Sequence, residues 1–352
     1  MNINISLKNH INNLFGDLIL NEEITEITIN EFNKIFYEDK EGWKQGNEEQ
    51  NARVTKQNCE NFSNALASQA NQKFDSSNPI LGTTLPSDER VQIVRPPACD
   101  SNQFSITIRK PSKFSIDLDS FKKNGFFDDV EIDSNISTLD FKLLELLEKK
   151  DFMNFCKLAI SSGKKNIAIA GATGSGKTTF MKSLIAEIPS NERLITIEDV
   201  RELFLINHYN FVNLLYPSEH NEKTKIRPDV ALKSCLRMKP DRIILAEVRG
   251  GEAFDYINAI SSGHGGSITS LHAGNYEEAI RRLTLMFLQN KTGSQLPYTT
   301  AESIIKETID IIITIGKSNG KRAINSLHWK DYLNVKNAAT CLKGKIDDVS
   351  QK

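Results

Sequence analysis

The sequence has no apolar run longer than four residues. A membrane-spanning helix needs roughly twenty predominantly apolar residues, so this absence excludes one. The first ten residues, MNINISLKNH, also lack the apolar core and the small-residue cleavage site of a secretory signal. We therefore expect the protein to be cytoplasmic.

Paired cysteines and an excess of one charge are missing as well. The five cysteines lie at least 40 residues apart and form no C-x-x-C pair, so they predict neither a zinc site nor a redox site. Lysine and arginine total 44 against 45 acidic residues. Neither half of the chain holds a dense basic block with aromatic residues between the charges, which argues against a dedicated nucleic-acid binder.

The length of 352 residues, of which 39% are hydrophobic, is enough for two domains. Residues 1–132 contain 14 basic and 20 acidic residues, whereas residues 133–352 contain 30 and 25, and this difference favours two separate units. In the first unit, residues 24–30 and 34–39 alternate apolar and polar side chains, which predicts a hairpin ending near Gly42.

The rest of the first unit mixes helix and strand patterns. Apolar residues between positions 51 and 73 recur at helical spacing, and residues 89–94 and 103–110 alternate as strands do. These features predict an antiparallel α+β domain over residues 1–115. Proline, glycine and charge without a regular period predict an interdomain linker over residues 116–135.

After residue 135 the pattern changes to short apolar runs separated by helical segments. The runs NIAIA, RLITI, RIILAEV, GSITSL and DIIITI are typical of strands that are buried on both faces. We predict an α/β domain with a mostly parallel sheet over residues 136–340. Residues 341–352 are polar and are expected to form a disordered tail.

The most specific motif is GATGSGKTT, which fits G-x-x-x-x-G-K-[ST] between the run NIAIA and a helical pattern. In such a loop, backbone N–H groups and the helix N-terminus bind phosphate oxygens, the lysine neutralises the β- and γ-phosphates, and the next hydroxyl binds Mg²⁺. We therefore predict that ATP and Mg²⁺ bind here. The residues of the motif are Gly171, Ala172, Thr173, Gly174, Ser175, Gly176, Lys177, Thr178 and Thr179.

Acidic residues follow two of the predicted strands. Glu198 and Asp199 end one strand, with Glu202 close behind, and Glu247 ends another. Ligands of parallel sheets bind outside the carboxyl ends of the strands, so we expect these acids beside the phosphate loop. Glu198 and Glu247 are both candidates for the Mg²⁺ ligand and for the group that polarises the attacking water, and the sequence leaves the choice open.

Two of the six histidines lie in the glycine-rich segment SSGHGGSITSLHAG. His272 ends its strand-like run, where a neutral imidazole can contact a γ-phosphate oxygen or donate to a carboxylate. His264 lies among the glycines. We predict a functional role for His272.

Four blocks in this order, GATGSGKTT, ITIEDVREL, RMKPDRIILAEVRGGEA and GHGGSITSLHAG, resemble the secretion ATPase superfamily. Within it, the chain is similar to the traffic ATPases of bacterial type IV secretion systems. The similarity extends into the first half through EITEITIN, EGW, ERVQIVRPPA and SITIRKPS, and it covers about residues 8–330.

The resemblance implies a RecA-like P-loop domain behind a smaller α+β domain. It implies a homohexameric ring at the cytoplasmic side of the bacterial inner membrane, with ATP between the two domains of a protomer. Hydrolysis moves one domain against the other and powers pilus assembly and substrate export. The implied partners are the other secretion-system components and the exported substrate. Sequence-specific binding to nucleic acid is not expected.

The resemblance also implies roles for single residues. Lys177 and Thr178 match the phosphate and metal groups, residues 198–202 the acidic box, Glu247 the Walker B acid and His272 the histidine box.

From the N-terminal domain, Arg109 in SITIRKPS matches an arginine that reaches toward the γ-phosphate, where a cation stabilises charge on the transferred group. Arg90 and Arg95 are further candidates of the same kind.

Two departures from the family pattern bear on these expectations. Val200 and Arg201 stand where the family often has small, proline or acidic residues, which leaves the geometry of Glu202 open. The tetracysteine zinc motif of type II secretion ATPases is absent, so pilus-retraction ATPases are the nearest alternative. A nucleotide-gated scaffold with little turnover and a DNA-translocating motor are further alternatives, and the near-neutral charge argues against the motor.

Overall fold

The structure is a computed structural model and describes residues 5–111, 117–128, 136–216, 226–318 and 320–350. It contains two sheets, one in each half of the chain. Among these residues no helix has the length and apolarity that a bilayer crossing requires.

The N-terminal half folds around a six-stranded antiparallel sheet. Its strands are β1 (Glu26–Glu31), β2 (Lys34–Asp39), β3 (Gly42–Gln45), β4 (Ile80–Thr84), β5 (Arg90–Val94) and β6 (Gln103–Arg109). They lie in the order β3-β2-β1-β6-β5-β4. The predicted hairpin is confirmed as β1 and β2, and the two later predicted strands are confirmed as β5 and β6, which pair with each other.

Three helices accompany this sheet: α1 (Ile5–Phe15), α2 (Glu48–Ala52) and α3 (Lys56–Gln69). Alternation along β1 explains the layering. Ile27 and Ile29 belong to a buried cluster with residues of α1 and α3, whereas Thr28 and Asn30 face the second half of the chain. The predicted α+β architecture of this half is therefore confirmed.

One short helix, α4 (Leu118–Lys123), lies within the predicted linker. Asp117 caps it by accepting a hydrogen bond from the backbone N–H of Ser120. Residues 112–116 and 129–135, which include part of the predicted linker, lie outside the described residues.

The C-terminal half contains a seven-stranded sheet with helices on both faces. Its strands are β7 (Ile167–Gly171), β8 (Leu194–Glu198), β9 (Phe211–Leu215), β10 (Arg242–Leu245), β11 (Ile268–Leu271), β12 (Ile311–Ser318) and β13 (Lys321–Trp329). The helices are α5 (Thr138–Glu148), α6 (Phe152–Ser161), α7 (Lys177–Ile185), α8 (Pro228–Cys235), α9 (Glu252–Ser261), α10 (Tyr276–Phe287), α11 (Tyr298–Thr308) and α12 (Tyr332–Ser350).

The strands lie in the order β13-β12-β7-β11-β10-β8-β9, and every neighbouring pair is parallel except β12 with β13. Buried apolar clusters cover both faces of the sheet, as expected of parallel strands. The five strands predicted from apolar runs are confirmed. The two edge strands, β9 and β13, were not predicted.

The end of the chain differs from the expectation. Helix α12 continues to Ser350, through most of the segment predicted as a disordered tail. Val335 in its first turns is fully buried in the cluster beneath α5 and α6, which ties the start of the helix to the domain. The remaining residues extend a helix that is already nucleated.

The two halves meet along the edge strand β9. Val94, Ala98 and Cys99 of the N-terminal half belong to the same buried cluster as the C-terminal sheet. Backbone bonds join the halves from Leu215 N to the carbonyl of Ala98 at 2.9 Å. The domains therefore share a continuous interface.

Arg193, which precedes β8, is fully buried in this interface. Its Nε donates to the carbonyl of Met238 at 2.8 Å, and Nη1 donates to Asn30 Oδ1 at 2.8 Å and to Asn210 Oδ1. One guanidinium thus bonds both halves of the chain. Burial lowers the pKa of Arg193 to about 10.

The position of this interface matters for the phosphate loop. Strand β9 is four steps from β7 in the sheet, which at about 4.8 Å per step is about 19 Å. Among the described residues, no hydrogen bond or ion pair joins the N-terminal half to residues 171–179. The arrangement expected from the family, with ATP between the two domains of one protomer, stays a prediction.

Candidate nucleotide site

The phosphate loop connects β7 to α7, as the motif predicted. Every residue of β7 is buried, so the strand places the loop firmly at the carboxyl edge of the sheet. Gly176 precedes α7 with φ of +101°, a left-handed conformation that residues with a side chain rarely adopt. Ala172, Thr173, Gly174 and Thr179 are exposed, and Thr178 is half-buried. The N-terminus of α7 is thus open to an anion.

Lys177 is folded back onto the loop. Its Nζ donates to the carbonyls of Gly171 at 2.9 Å and Ala172 at 3.1 Å, and lies 3.4 Å from His272 Nδ1. Burial lowers the pKa of Lys177, and the charge of Glu247 opposes that shift. Phosphate oxygens would replace neutral acceptors by charged ones, which form stronger hydrogen bonds with an ammonium group.

A second donor in the loop is the hydroxyl of Ser175. Ser175 Oγ is buried and has no hydrogen-bond partner within the described parts of the chain. A buried hydroxyl without an acceptor in the loop can donate to a phosphate oxygen bound there. This observation agrees with a bound phosphate.

Glu247 and His272 come together beside Lys177. Glu247 follows β10, His272 follows β11, and His272 Nε2 lies 2.7 Å from Glu247 Oε1. The expectation that the carboxyl ends of neighbouring parallel strands meet here is confirmed. The imidazole therefore lies between Lys177 and Glu247.

Arg249 completes this group and was not among the predicted site residues. Its Nε and Nη2 contact Glu247 Oε2 at 2.9 and 2.7 Å, and Nη1 contacts Asp199. Its place in the sequence indicates this contact, because Arg249 follows Glu247 by two residues in AEVRG. Arg249 fixes the orientation of the Glu247 carboxylate and connects it to the segment after β8.

Glu198 has a different environment from Glu247. It is fully buried, and its Oε2 accepts the backbone N–H groups of Glu202 at 2.8 Å and Leu203 at 2.9 Å. Its Oε1 accepts the hydroxyl of Thr196 at 2.9 Å. Burial raises the pKa of Glu198, and these hydrogen bonds oppose the shift. The carboxylate holds the following loop in place, while the side chain of Glu202 is exposed.

Arg109 lies elsewhere in this chain. Its side chain is two-thirds exposed, and its Nε is 3.6 Å from Glu26 Oε1. It lines a cleft of ≈ 520 Å³ together with Arg90, Lys239 and His264, and no residue of the phosphate loop lines that cleft. The structure does not bring Arg109 or His264 together with Lys177, and the γ-phosphate role of Arg109 stays a prediction.

The residues at the loop fit Mg²⁺. This ion takes oxygen ligands, usually one or two protein groups together with substrate phosphates and waters. Thr178 and Glu247 offer such oxygens at the loop. Within the described residues no group of three or more histidine, cysteine or acidic side chains could hold a metal ion without further ligands. The donors therefore suit an ion that is held largely by a nucleotide.

Comparison with known proteins gives the family. The profile of the type II/IV secretion system protein family matches residues 13–315. The chain belongs to this family. It is 44% identical over 314 residues to the type IV secretion system protein VirB11 of Brucella suis, covering 88% of this chain and 86% of that protein.

Further members of the family support this placement. The chain is 38% identical over 316 residues to the type IV secretion system protein PtlH homolog of Bordetella bronchiseptica, covering 89% of this chain and 92% of the relative. The crystal structure of the VirB11 ATPase from the Brucella suis type IV secretion system, in complex with sulphate, superposes with a TM-score of 0.86 at 40% identity. It covers 96% of this chain and 97% of that structure. The predicted resemblance to the type IV secretion ATPases and the predicted α/β fold are confirmed.

Proposed function

We propose that this protein is an Mg²⁺-dependent ATPase that acts as a homohexameric motor of a type IV secretion system. Its place would be the cytoplasmic side of the inner membrane, where it powers pilus assembly and substrate export with the other components of the system. Family membership and the similarity to VirB11 and PtlH support the secretion role. The observation that carries the ATPase role is the convergence of Lys177, Glu247 and His272 at the phosphate loop.

Lys177 and the loop bind the nucleotide. The lysine exchanges the carbonyls of Gly171 and Ala172 for β- and γ-phosphate oxygens, and Ser175 and the first N–H groups of α7 donate to the same phosphates. Thr178 and Glu247 are the residues that would hold Mg²⁺, which neutralises phosphate charge when bound. The sulphate in the similar Brucella suis structure is an oxyanion related in shape and charge to phosphate.

Glu247 is our choice for the group that polarises water. Its carboxylate contacts His272, which in turn contacts Lys177 of the phosphate loop. The oxygens of Glu198 instead accept backbone N–H groups and a hydroxyl group. Glu247 accepts a hydrogen bond from the attacking water, and His272 and Arg249 keep the carboxylate aligned. The water oxygen forms a bond to the γ-phosphorus as the bond from that phosphorus to ADP breaks, and the proton that the water loses ends on the released phosphate, so ADP and phosphate are the products.

Three variants test this proposal. Lys177→Ala should reduce turnover at least about 100-fold and weaken ATP binding, because it removes the cation from the phosphates. Glu247→Gln should bind ATP normally but lose at least about 100-fold in turnover. Lys182→Ala is the matched control, since Lys182 is an exposed lysine of the same helix. Phosphate release and ATP affinity are measured on each.

Turnover at the wild-type rate in folded Lys177→Ala would refute the phosphate site. ATP binding without phosphate release by the wild type, with membranes and partners present, would instead indicate a nucleotide-gated scaffold. Native mass spectrometry with ATP tests the ring, since a hexamer is the expected assembly and a monomer at every concentration contradicts it.

A further inference from the structure

Two cations of the β12–β13 hairpin lie next to the phosphate loop. Strand β12 pairs with β7 so that Ile315 is opposite Gly171, and β12 then continues past the end of β7. In this extension Lys317 is directly opposite Arg322 of β13. Directly opposed residues of an antiparallel pair project to the same face of a sheet. The two cations are therefore neighbours.

The alternation of β12 identifies the face. Ile313 and Ile315 belong to the buried cluster that contains Met181 of α7. Side chains two residues apart share a face, so Lys317 projects to the side that carries α7, and Arg322 opposite it does the same. Both cations thus lie on the side of the sheet where the phosphate loop begins its helix.

Arg322 reaches the loop itself. A Cβ atom built on Gly176 would lie 3.2 Å from Cδ, 3.6 Å from Nε and 3.9 Å from Nη1 of Arg322. The guanidinium therefore lies against the residue that caps α7, and the absence of a side chain at Gly176 permits this approach.

Neither cation is neutralised within the described part of the chain. In residues 5–350, as far as they are described, Lys317 and Arg322 have no ion pair and no side-chain hydrogen bond. Like charges directly opposite each other destabilise a pair of strands. An anion between Lys317 and Arg322 would relieve this repulsion.

The geometry of the site indicates which part of a nucleotide lies there. His272 and Glu247 follow β11 and β10, and β11 flanks β7 on one side while β12 flanks it on the other. A triphosphate whose γ-phosphate lies beside Glu247 and Lys177 extends its remaining phosphates along the loop, away from β11. The α-phosphate then faces the β12–β13 hairpin.

Building on the ATP site proposed above, we propose that Arg322, assisted by Lys317, binds the α-phosphate of the nucleotide. The planar guanidinium can donate two parallel hydrogen bonds to one phosphate group. This contact belongs to ADP as well as ATP, so Arg322 contributes to nucleotide affinity and does not select for the γ-phosphate.

The test compares Arg322→Gln with Lys321→Gln. Lys321 is the preceding residue of β13, is equally exposed and projects to the opposite face, so both variants lose one charge. Calorimetry with ADP and with tripolyphosphate at fixed salt should show about tenfold weaker binding to Arg322→Gln for both ligands. Lys321→Gln should stay within about twofold of the wild type, and Arg322→Lys should recover part of the loss.

Equal ADP affinity of Arg322→Gln and Lys321→Gln overturns the inference. A loss for ADP without a loss for tripolyphosphate also overturns it, because the contact would then be with the nucleoside. Lys177→Ala separates this outcome from a failure of the ATP site. If Lys177→Ala weakens ADP binding while Arg322→Gln does not, only the role of Arg322 is wrong; if Lys177→Ala also binds normally, the site itself is wrong.

Discussion

Replacing Glu26 by glutamine is expected to make the protein more stable above neutral pH. Glu26 begins β1 and is 3% exposed, and its Oε2 is buried with no hydrogen-bond partner among the described residues. Burial raises the pKa of Glu26 from 4.5 to about 7, although the charges of Lys239 and Arg109 lower it. Glutamine resembles the protonated acid in shape and carries no charge.

The sign and the size of this change in stability follow from proton linkage. The folded pKa lies above the unfolded value, so the folded state binds the proton more tightly, and this contribution to stability is complete below pH 4.5. It is lost as the pH rises through about 7. A shift of this size corresponds to at most about 3 kcal/mol at 1.36 kcal/mol per pH unit. Glu26→Gln should remove the pH dependence and gain up to that amount at pH 8.

Urea denaturation measures this difference in stability between pH 5 and pH 8, roughly the range in which the contribution of Glu26 changes. Trp43 of β3 lies in the same sheet and reports unfolding by fluorescence. Glu22→Gln removes an exposed acid and is the control. Parallel stability curves for the wild type and Glu26→Gln would show that Glu26 is ionised throughout, and lower stability of the variant at pH 8 would show that its charge is needed. Either result refutes the reasoning.

Two other changes separate structure from catalysis. Arg193→Ala leaves Asn30 Oδ1 and the carbonyl of Met238 without their donor and opens a cavity between the domains. The urea midpoint should therefore fall by the equivalent of about 3 kcal/mol or more. An unchanged midpoint would mean that the interface does not depend on Arg193. Glu198→Gln removes the charge that accepts the two backbone N–H groups and turns one of the two acceptor oxygens into a donor, so it should lower stability by about 1–3 kcal/mol with ATP affinity within about threefold. A stable variant without ATP binding would show that Glu198 contacts the nucleotide.

The sequence predicted the strand, loop and helix around Lys177 well because they are local. Strand, glycines, lysine and helix follow one another within residues 166–188, so the order of residues is also the order in space. The meeting of Glu247 and His272 needed one further rule, that carboxyl ends of parallel strands share an edge. Each strand could be recognised from its own apolar run.

The missed features depend on packing between distant segments. Glu198 and Glu247 look alike in the sequence, since each ends a buried strand. The loop after β8 folds back so that its N–H groups meet Glu198, and no local pattern predicts that fold. Strand β9 was missed because FVNLL is a short run whose burial comes from the N-terminal domain.

A turn motif in the sequence indicates strand β13, although the strand was not predicted. The segment GKSNGKR contains Asn-Gly, a common hairpin turn, and Gly320 adopts φ of +76° there. The residues of β13 are mostly exposed, so the apolar pattern used for the other strands is absent. A hairpin predicted from this turn would have paired the segment that contains Arg322 with β12, the strand next to β7 and its phosphate loop.

The interface between the domains constrains how ATP can move this chain. A swing of the N-terminal domain against its own P-loop domain would expose Val94, Ala98 and Cys99, which share one buried cluster with the C-terminal sheet. It would also strip the fully buried Arg193 of its bond to Asn30. Exposing apolar surface costs about 25 cal/mol per Å², and leaving a buried polar group unpaired costs about 1–3 kcal/mol. These contacts therefore oppose a swing of the two domains of one chain against each other.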